Sequence, residues 1–248
     1  MNDDWIMGRN TVIEALESKR PIQKLYIAEQ LNPSFAKKVQ GLAKAKNVPI
    51  QHVPKKKLDQ LVSGNHQGVA AQVAAYTYAN IDELFAAAEK RSEAPFFLIL
   101  DEIEDPHNLG SILRSADATG VHGVIIPKRR AVGLTTTVAK TSVGAIEHIP
   151  VARVTNIVQA IEELKSRQVW VVGTEADASE DYRQLDGQLP IALVIGNEGK
   201  GISRLVKENC DWTVSLPMIG AVSSLNASVA ASVLMYEVLR KRDGQGDA

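Results

Sequence analysis

Three segments of this 248-residue chain combine residue types that packing alone does not call for. The first, Asp101–Gly120, reads DEIEDPHNLGSILRSADATG. A strand ending at Leu100 runs into acidic residues, then Asn108 at a helix start, then Arg114 six residues later. Asn108 has the chemistry either to cap the helix or to hold a ligand group. With the helix opening at Leu109, Arg114 falls in its second turn, near the carboxyl edge of a sheet, where α/β proteins bind ligands. It is a solvated arginine or a fixed positive charge. The second segment, Leu193–Gly201, drives a buried strand into LVIGNEGKG, with three glycines in six residues. Glycine spacing of this kind lets backbone turn sharply or approach a ligand closely. The order G-x-x-G-x-G is not the dinucleotide fingerprint, and the Lys-Ser/Thr ending of a phosphate loop is missing. A ligand without phosphates and with a flat base suits it better. The third, Leu216–Ala230, is LPMIGAVSSLNASVA: a strand end, a glycine-containing loop, then Ser223, Ser224 and Asn226 opening a helix of small residues. One cap residue suffices for a helix, so the surplus polar groups either over-cap it or face a ligand.

Other chemistries find little support. The single cysteine, Cys210, excludes an intrachain disulfide, and no His or Asn context marks it as a nucleophile. The five histidines are scattered without the spacing of a zinc site, so no metal is expected. The N-terminus has no basic-then-apolar signal pattern and no apolar run reaches a membrane span, so the chain reads as cytoplasmic.

These segments must be positioned by regular elements. From Phe96 onward strands and helices alternate. Strands are expected at Phe96–Leu100, Gly123–Ile126, Ile149–Val154, Val169–Gly173, Ile191–Ile195 and Trp212–Leu216. Helices are expected at Leu109–Thr119, Thr135–Val143, Ile157–Ser166, Ser203–Asn209 and Asn226–Arg240. Continuous apolar runs such as IALVIG and VWVVG belong to strands covered on both faces, hence a mostly parallel sheet. Ahead of it, strands at Leu25–Ala28, Pro49–Val53 and Gly68–Ala75 alternate with helices at Asn10–Ser18, Phe35–Ala45 and Lys57–Val62. The expected organisation is an α/β unit over 1–76, a helical connector over 77–95, a larger α/β unit over 96–242 and a disordered tail over 243–248. Charge divides the same way. Residues 1–75 hold 11 Lys/Arg against 6 Asp/Glu, and the remainder 17 against 23. A basic front half points to phosphate contacts there, or to ordinary solvated surface.

Together the three segments, N-L-G-x-x-x-R, G-N-E-G-x-G and L-P-M-x-G-x-x-x-S-L-N-x-S-V-A, resemble the signature motifs of the SpoU/TrmH branch of the SPOUT RNA methyltransferases. The front unit is similar to that branch's substrate-binding domain through G-R-N-x-V-x-E-A-L at Gly8–Leu16 and H-Q-G at His66–Gly68. Within the branch, the likeness is greatest to bacterial enzymes that methylate a guanosine ribose of large-subunit (23S) rRNA. The resemblance implies a C-terminal α/β-knot domain with a deep trefoil knot, and a homodimer through it. It also implies S-adenosylmethionine held by Thr174, Gly196, Asn197, Gly199, Leu216, Met218, Ser224 and Leu225. Methyl transfer to a ribose 2′-hydroxyl is then carried by Arg114, Asn108, Glu198 and Asn226, with no metal because the sulfonium donor is already activated. RNA is held by Arg9, Lys55, Lys56, His66 and Gln67 of the front unit. Competing readings keep the chemistry on tRNA, or make the chain a non-catalytic RNA-binding or ribosome-assembly protein. A nicotinamide oxidoreductase is disfavoured by the missing glycine fingerprint.

Overall fold

The computed structural model describes residues 5–17, 21–74 and 76–244. The chain divides into two compact units at Thr77/Tyr78. In the first, β1 (Trp5–Met7), α1 (Arg9–Glu17), β2 (Ile22–Ala28), α2 (Pro33–Ala45), β3 (Ile50–Val53), α3 (Lys55–Leu61) and β4 (Val69–Val73) build a four-stranded sheet in the order β1-β4-β2-β3. Period-2 alternation decides its faces. Leu25 and Ile27 of β2, with Val69, Ala71 and Val73 of β4, pack against Val12, Leu16, Val39 and Ala43 of α1 and α2. Ala28, Val53 and Ala70 face the other way, onto Leu58 and Val62. The three-residue β1 escapes the sequence pattern because it is too short to show a period. It pairs antiparallel with β4.

The second unit comprises α4 (Ile81–Arg91), β5 (Phe96–Leu100), α5 (Pro106–Ala118), β6 (Gly123–Pro127), α6 (Thr136–Thr141), β7 (Val151–Val154), α7 (Ile157–Ser166), β8 (Trp170–Thr174), β9 (Glu180–Asp181), β10 (Ile191–Ile195), α8 (Arg204–Asn209), β11 (Trp212–Ser215) and α9 (Ala227–Arg242). Its seven-stranded sheet runs β7-β6-β5-β10-β8-β11-β9, and every pairing is parallel. Carboxyl ends therefore share one edge. The chain order breaks where β10 enters between β5 and β8, and such a switch point is where open α/β sheets bind ligands.

Two expectations need correction here. The helix expected as a connector is part of the second unit's core: Ile81, Leu84 and Phe85 of α4 are buried with Phe97, Ile99, Ile125 and Ile161. Its apolar stripe is wide enough to join a core, which a free linker has no use for. The helix after β5 begins at Pro106, not Leu109, with Asp105 as its cap, accepting from the His107 amide at 2.8 Å. Proline at the first helical position, with an aspartate before it, is the stronger start signal. Asn108 is thus not the cap, and Arg114 sits in the third turn. At the far end, Asp243 caps α9 and Gly244 turns after it, while the remainder of the expected tail, 245–248, lies outside the described residues.

Candidate active site

Four loops meet at the carboxyl edge, following β5, β8, β10 and β11. An open pocket of about 420 Å³ lies among the last three, and Thr174, Ile195, Gly196, Leu216, Met218 and Leu225 are among its lining. That volume suits a small ligand. Of the residues singled out in the sequence, Thr174, Gly196, Asn197, Glu198, Gly199, Leu216, Met218, Ser224 and Leu225 all line it. Thr174 donates its hydroxyl to the Val194 carbonyl at 2.9 Å, which ties the end of β8 to β10.

The glycine loop is closed on itself. Asn197 and Gly201 exchange two backbone hydrogen bonds, 3.0 and 2.8 Å, and the Asn197 side chain accepts from the Gly199 amide at 2.9 Å. Its Nδ2 donates to the Glu102 carbonyl at 3.1 Å, joining this loop to the one after β5. The need for glycine at 196 comes from the chain itself. A Cβ there would stand 2.3 Å from the Gly201 carbonyl carbon and 2.4 Å from the Ile202 nitrogen. Sequence reading left a sharp turn or a ligand as the reason for glycine, and the close approach at 196 is made by the protein's own backbone.

Glu198 is the hub of a polar cluster. Its Oε1 accepts from Asn108 Nδ2 at 2.7 Å, from Asn226 Nδ2, and from the Ala227 amide at 3.2 Å. Asn226 Nδ2 also reaches Asn108 Oδ1 at 3.0 Å. Freed from capping α5, Asn108 can take this role. Asn226 caps α9 with its Oδ1, accepting from Ser228 and Val229, while its amide nitrogen serves the cluster. Ser223 and Ser224 are left as pocket-lining residues. A carboxylate beside a helix N-terminus is also favoured by the helix dipole. Replacing Glu198 by alanine leaves its donors without their acceptor, and is expected to lower stability by about 1 kcal/mol and weaken ligand binding. Glu198→Gln, which keeps an acceptor oxygen, should lose less in a thermal melt; equal losses would deny the hub.

Arg114 stands apart from this cluster. Six helical positions separate it from Asn108, about 120° around α5. It is exposed, does not line the pocket, and makes no hydrogen bond or ion pair among the described residues. Glu175 and Asp177, at the end of β8, were missed by sequence reading. Both line the pocket and pair with Lys207 at 3.4 and 3.6 Å, and Glu175 also accepts from the Ile202 amide at 3.2 Å. Two acids directly after a buried strand were the available signal. Buried Asp101 accepts from the Ser203 amide at 2.7 Å and holds the other side of the same loop. Burial pushes the Cys210 thiol up to about 12, which removes it as a nucleophile. Among the described residues no group of three His, Cys, Asp or Glu is placed to hold a metal. Among them, too, no helix is long and apolar enough to cross a membrane.

In the first unit, Arg9, Lys55, His66 and Gln67 line an open pocket of about 680 Å³, while Lys56 is exposed on α3 outside its lining. The Arg9 guanidinium lies 5.1 Å from the Phe35 ring centre, and its amide donates to Gln67 Oε1 at 3.0 Å. His66 corrects an expectation. It is buried, Nδ1 accepts from the Gly68 amide at 3.0 Å, and Nε2 lies 2.9 Å from Asp59. With both nitrogens engaged it pins the loop instead of offering a hydrogen bond to RNA.

Fold and site define a class: a parallel α/β protein whose switch-point loops enclose a pocket lined by apolar side chains and by the acids Glu175, Asp177 and Glu198. Residues 95–236 match the SpoU rRNA Methylase family, and the chain belongs to it. It is an RNA methyltransferase. Residues 5–79 match the domain described as RNA 2′-O ribose methyltransferase substrate binding. The YacO protein of Bacillus subtilis (strain 168), named for the TrmH family of tRNA/rRNA methyltransferases, is 64% identical over 98% of each chain. Among solved structures, the SpoU methyltransferase AviRb from Streptomyces viridochromogenes, in complex with AdoMet, aligns with a TM-score of 0.71. It is 28% identical, over 97% of this chain and 90% of AviRb. An AdoMet-bound rRNA methyltransferase from Sinorhizobium meliloti gives 0.68, at 26% identity over 96% and 87%.

Proposed function

We propose that this protein methylates a ribose 2′-hydroxyl of RNA with S-adenosylmethionine as donor, on a guanosine of 23S rRNA. The single observation that carries the cofactor assignment is the pocket: all eight residues assigned to the cofactor from the resemblance line one cavity. Its carboxylates, Glu175, Asp177 and Glu198, outnumber the cations beside them, Lys200 in the lining and Lys207 paired with Glu175 and Asp177, a balance that suits a sulfonium better than a phosphate. Leu216, Met218 and Leu225 offer apolar surface for an adenine, with backbone groups nearby for its edge. When bound, S-adenosylmethionine supplies an electrophilic methyl group. Match of the front unit to a ribose methyltransferase substrate-binding domain supports the 2′-hydroxyl as acceptor.

Arg114 is the catalytic cation in this reading. A guanidinium stays protonated in proteins, so it serves by gripping the adjacent phosphate and stabilising the developing alkoxide, not as a base. A phosphate oxygen or water takes the hydroxyl proton. Asn108, Glu198 and Asn226 hold the loop after β10 against the starts of α5 and α9, which fixes α5 and hence Arg114. The position of β10 between β5 and β8, both earlier in the chain, is compatible with the trefoil knot that the family likeness implies over the loops at Gly173–Thr174, Gly196–Gly201 and Leu216–Leu225. Exposed Val229 and Tyr236, seven residues apart on α9, with Ile219 and Val222 before it, support a homodimer through this unit. Arg9, Lys55, Lys56 and Gln67 supply RNA contacts from the first unit, and the whole reaction is placed in the cytoplasm. Supplying methyl-labelled donor with separated rRNA and tRNA pools tests the target: label is expected in 23S rRNA, and label confined to tRNA would overturn that assignment.

A further inference from the structure

The first unit carries a second surface, bordered by Lys55 and Lys56 of the RNA contacts above but built on strand residues that none of those contacts uses. Register places Trp5 of β1 beside Gln72 of β4, and Gln72 beside Lys24 of β2. One rank further, Met7, Ala70 and Tyr26 lie side by side, with Gln51 of β3 next to Tyr26. Alternation sends all of these to the sheet face opposite α1 and α2. The α3 residues Leu58 and Leu61 cover that face near Ala28, Val53 and Ala70. Towards the other end Trp5, Lys24 and Tyr26 remain only half-buried. The two rings lie with centroids 5.1 Å apart at 45°, and Lys24 Nζ is 5.5 Å from the Tyr26 centroid.

The composition of this face decides what fits it. Its strand residues include no carboxylate, and α3 borders it with exposed Lys55, Lys56 and Lys57. Two half-open aromatic rings offer π surface, an ammonium sits beside one of them, and the amides of Gln72 and Gln51 can donate or accept. Protein partners also favour Trp, Tyr and Met, but lysines and amides around the rings, with no carboxylate on the strands of this face, favour an anionic ligand. Aromatic rings edged by cations and amides are instead the chemistry that holds unpaired bases: stacking on the ring, phosphates at the lysines, base edges at the amides.

We infer that the open half of this sheet face, centred on Tyr26 and Trp5 with Lys24 and Gln72, stacks unpaired bases of the RNA substrate. The inference rests on the RNA reading above and adds a single-strand site to it. The two-unit chain is titrated into a fluorescein-labelled oligouridylate and, separately, into an RNA duplex of equal length. Replacing each ring by leucine should weaken oligouridylate binding about tenfold per ring, with duplex binding little changed. Tyr26→Phe, which keeps the ring, should bind as wild type. Irradiation of a 5-iodouridine oligonucleotide with the unaltered protein should give adducts on the peptides holding Tyr26 or Trp5, a readout independent of how the variants fold. Adducts confined to other peptides, or leucine variants that fold and bind oligouridylate normally, overturn the inference. Unaltered protein that binds neither RNA overturns the RNA reading itself.

Discussion

Replacing Arg114 by lysine is expected to lower methyl transfer roughly 100- to 1,000-fold, the usual cost of removing one preorganised charge donor from a transition state. S-adenosylmethionine affinity should stay within about threefold, well under 1 kcal/mol. The structure makes this separation possible. Arg114 is exposed on α5, has no hydrogen bond or ion pair among the described residues, and does not line the cofactor pocket, so its replacement breaks no polar contact that holds the loops. Lysine preserves the charge but not the planar fork that holds a phosphate through two parallel hydrogen bonds. Single-turnover transfer to RNA, paired with calorimetric titration of the donor, reads both quantities. A variant that transfers at the wild-type rate removes Arg114 from the mechanism.

The second large effect concerns Gly196. In Gly196→Ala the new methyl would collide with the Gly201 carbonyl and the Ile202 nitrogen, so the loop must open. Opening strains the Asn197–Gly201 pair and the amides of Ile202 and Ser203, which are held by Glu175 and Asp101. Overpacking of this kind costs about 1–3 kcal/mol. Because the displaced atoms line the pocket, donor affinity is expected to fall at least tenfold, with a lower melting temperature. Gly220→Ala is the control: no atom lies within 4 Å of its Cβ, and it is outside the pocket lining. Donor affinity unchanged by Gly196→Ala, or reduced as much by Gly220→Ala, would refute the self-packed loop.

Much of the fold is legible in the sequence because its strands are buried on both faces. Phe96–Leu100 and Ile191–Ile195 are unbroken apolar runs, and both strands have the bounds those runs imply. Short pieces such as Trp5–Met7 and Glu180–Asp181 carry no period to read. The site was legible only through motif likeness. Asn108, Glu198 and Asn226 lie 90 and 28 positions apart along the chain, and no local spacing rule joins residues so distant. Local rules left Asn108 open as cap or ligand holder, and the resemblance alone made His66 an RNA contact, since which polar side chain becomes the cap or the loop pin depends on competitors. Asp105 took the cap, and a tertiary partner, Asp59, took the histidine.

Chemistry at a sugar oxygen leaves a mark that base methylation does not, since a blocked 2′-hydroxyl cannot attack its neighbouring phosphate. The decisive measurement is therefore alkaline hydrolysis of RNA labelled by this enzyme from methyl-tritiated S-adenosylmethionine. With the methyl on the ribose, the tritium must emerge in alkali-resistant dinucleotides. Tritium released entirely in mononucleotides would place the methyl on a base and contradict ribose methylation.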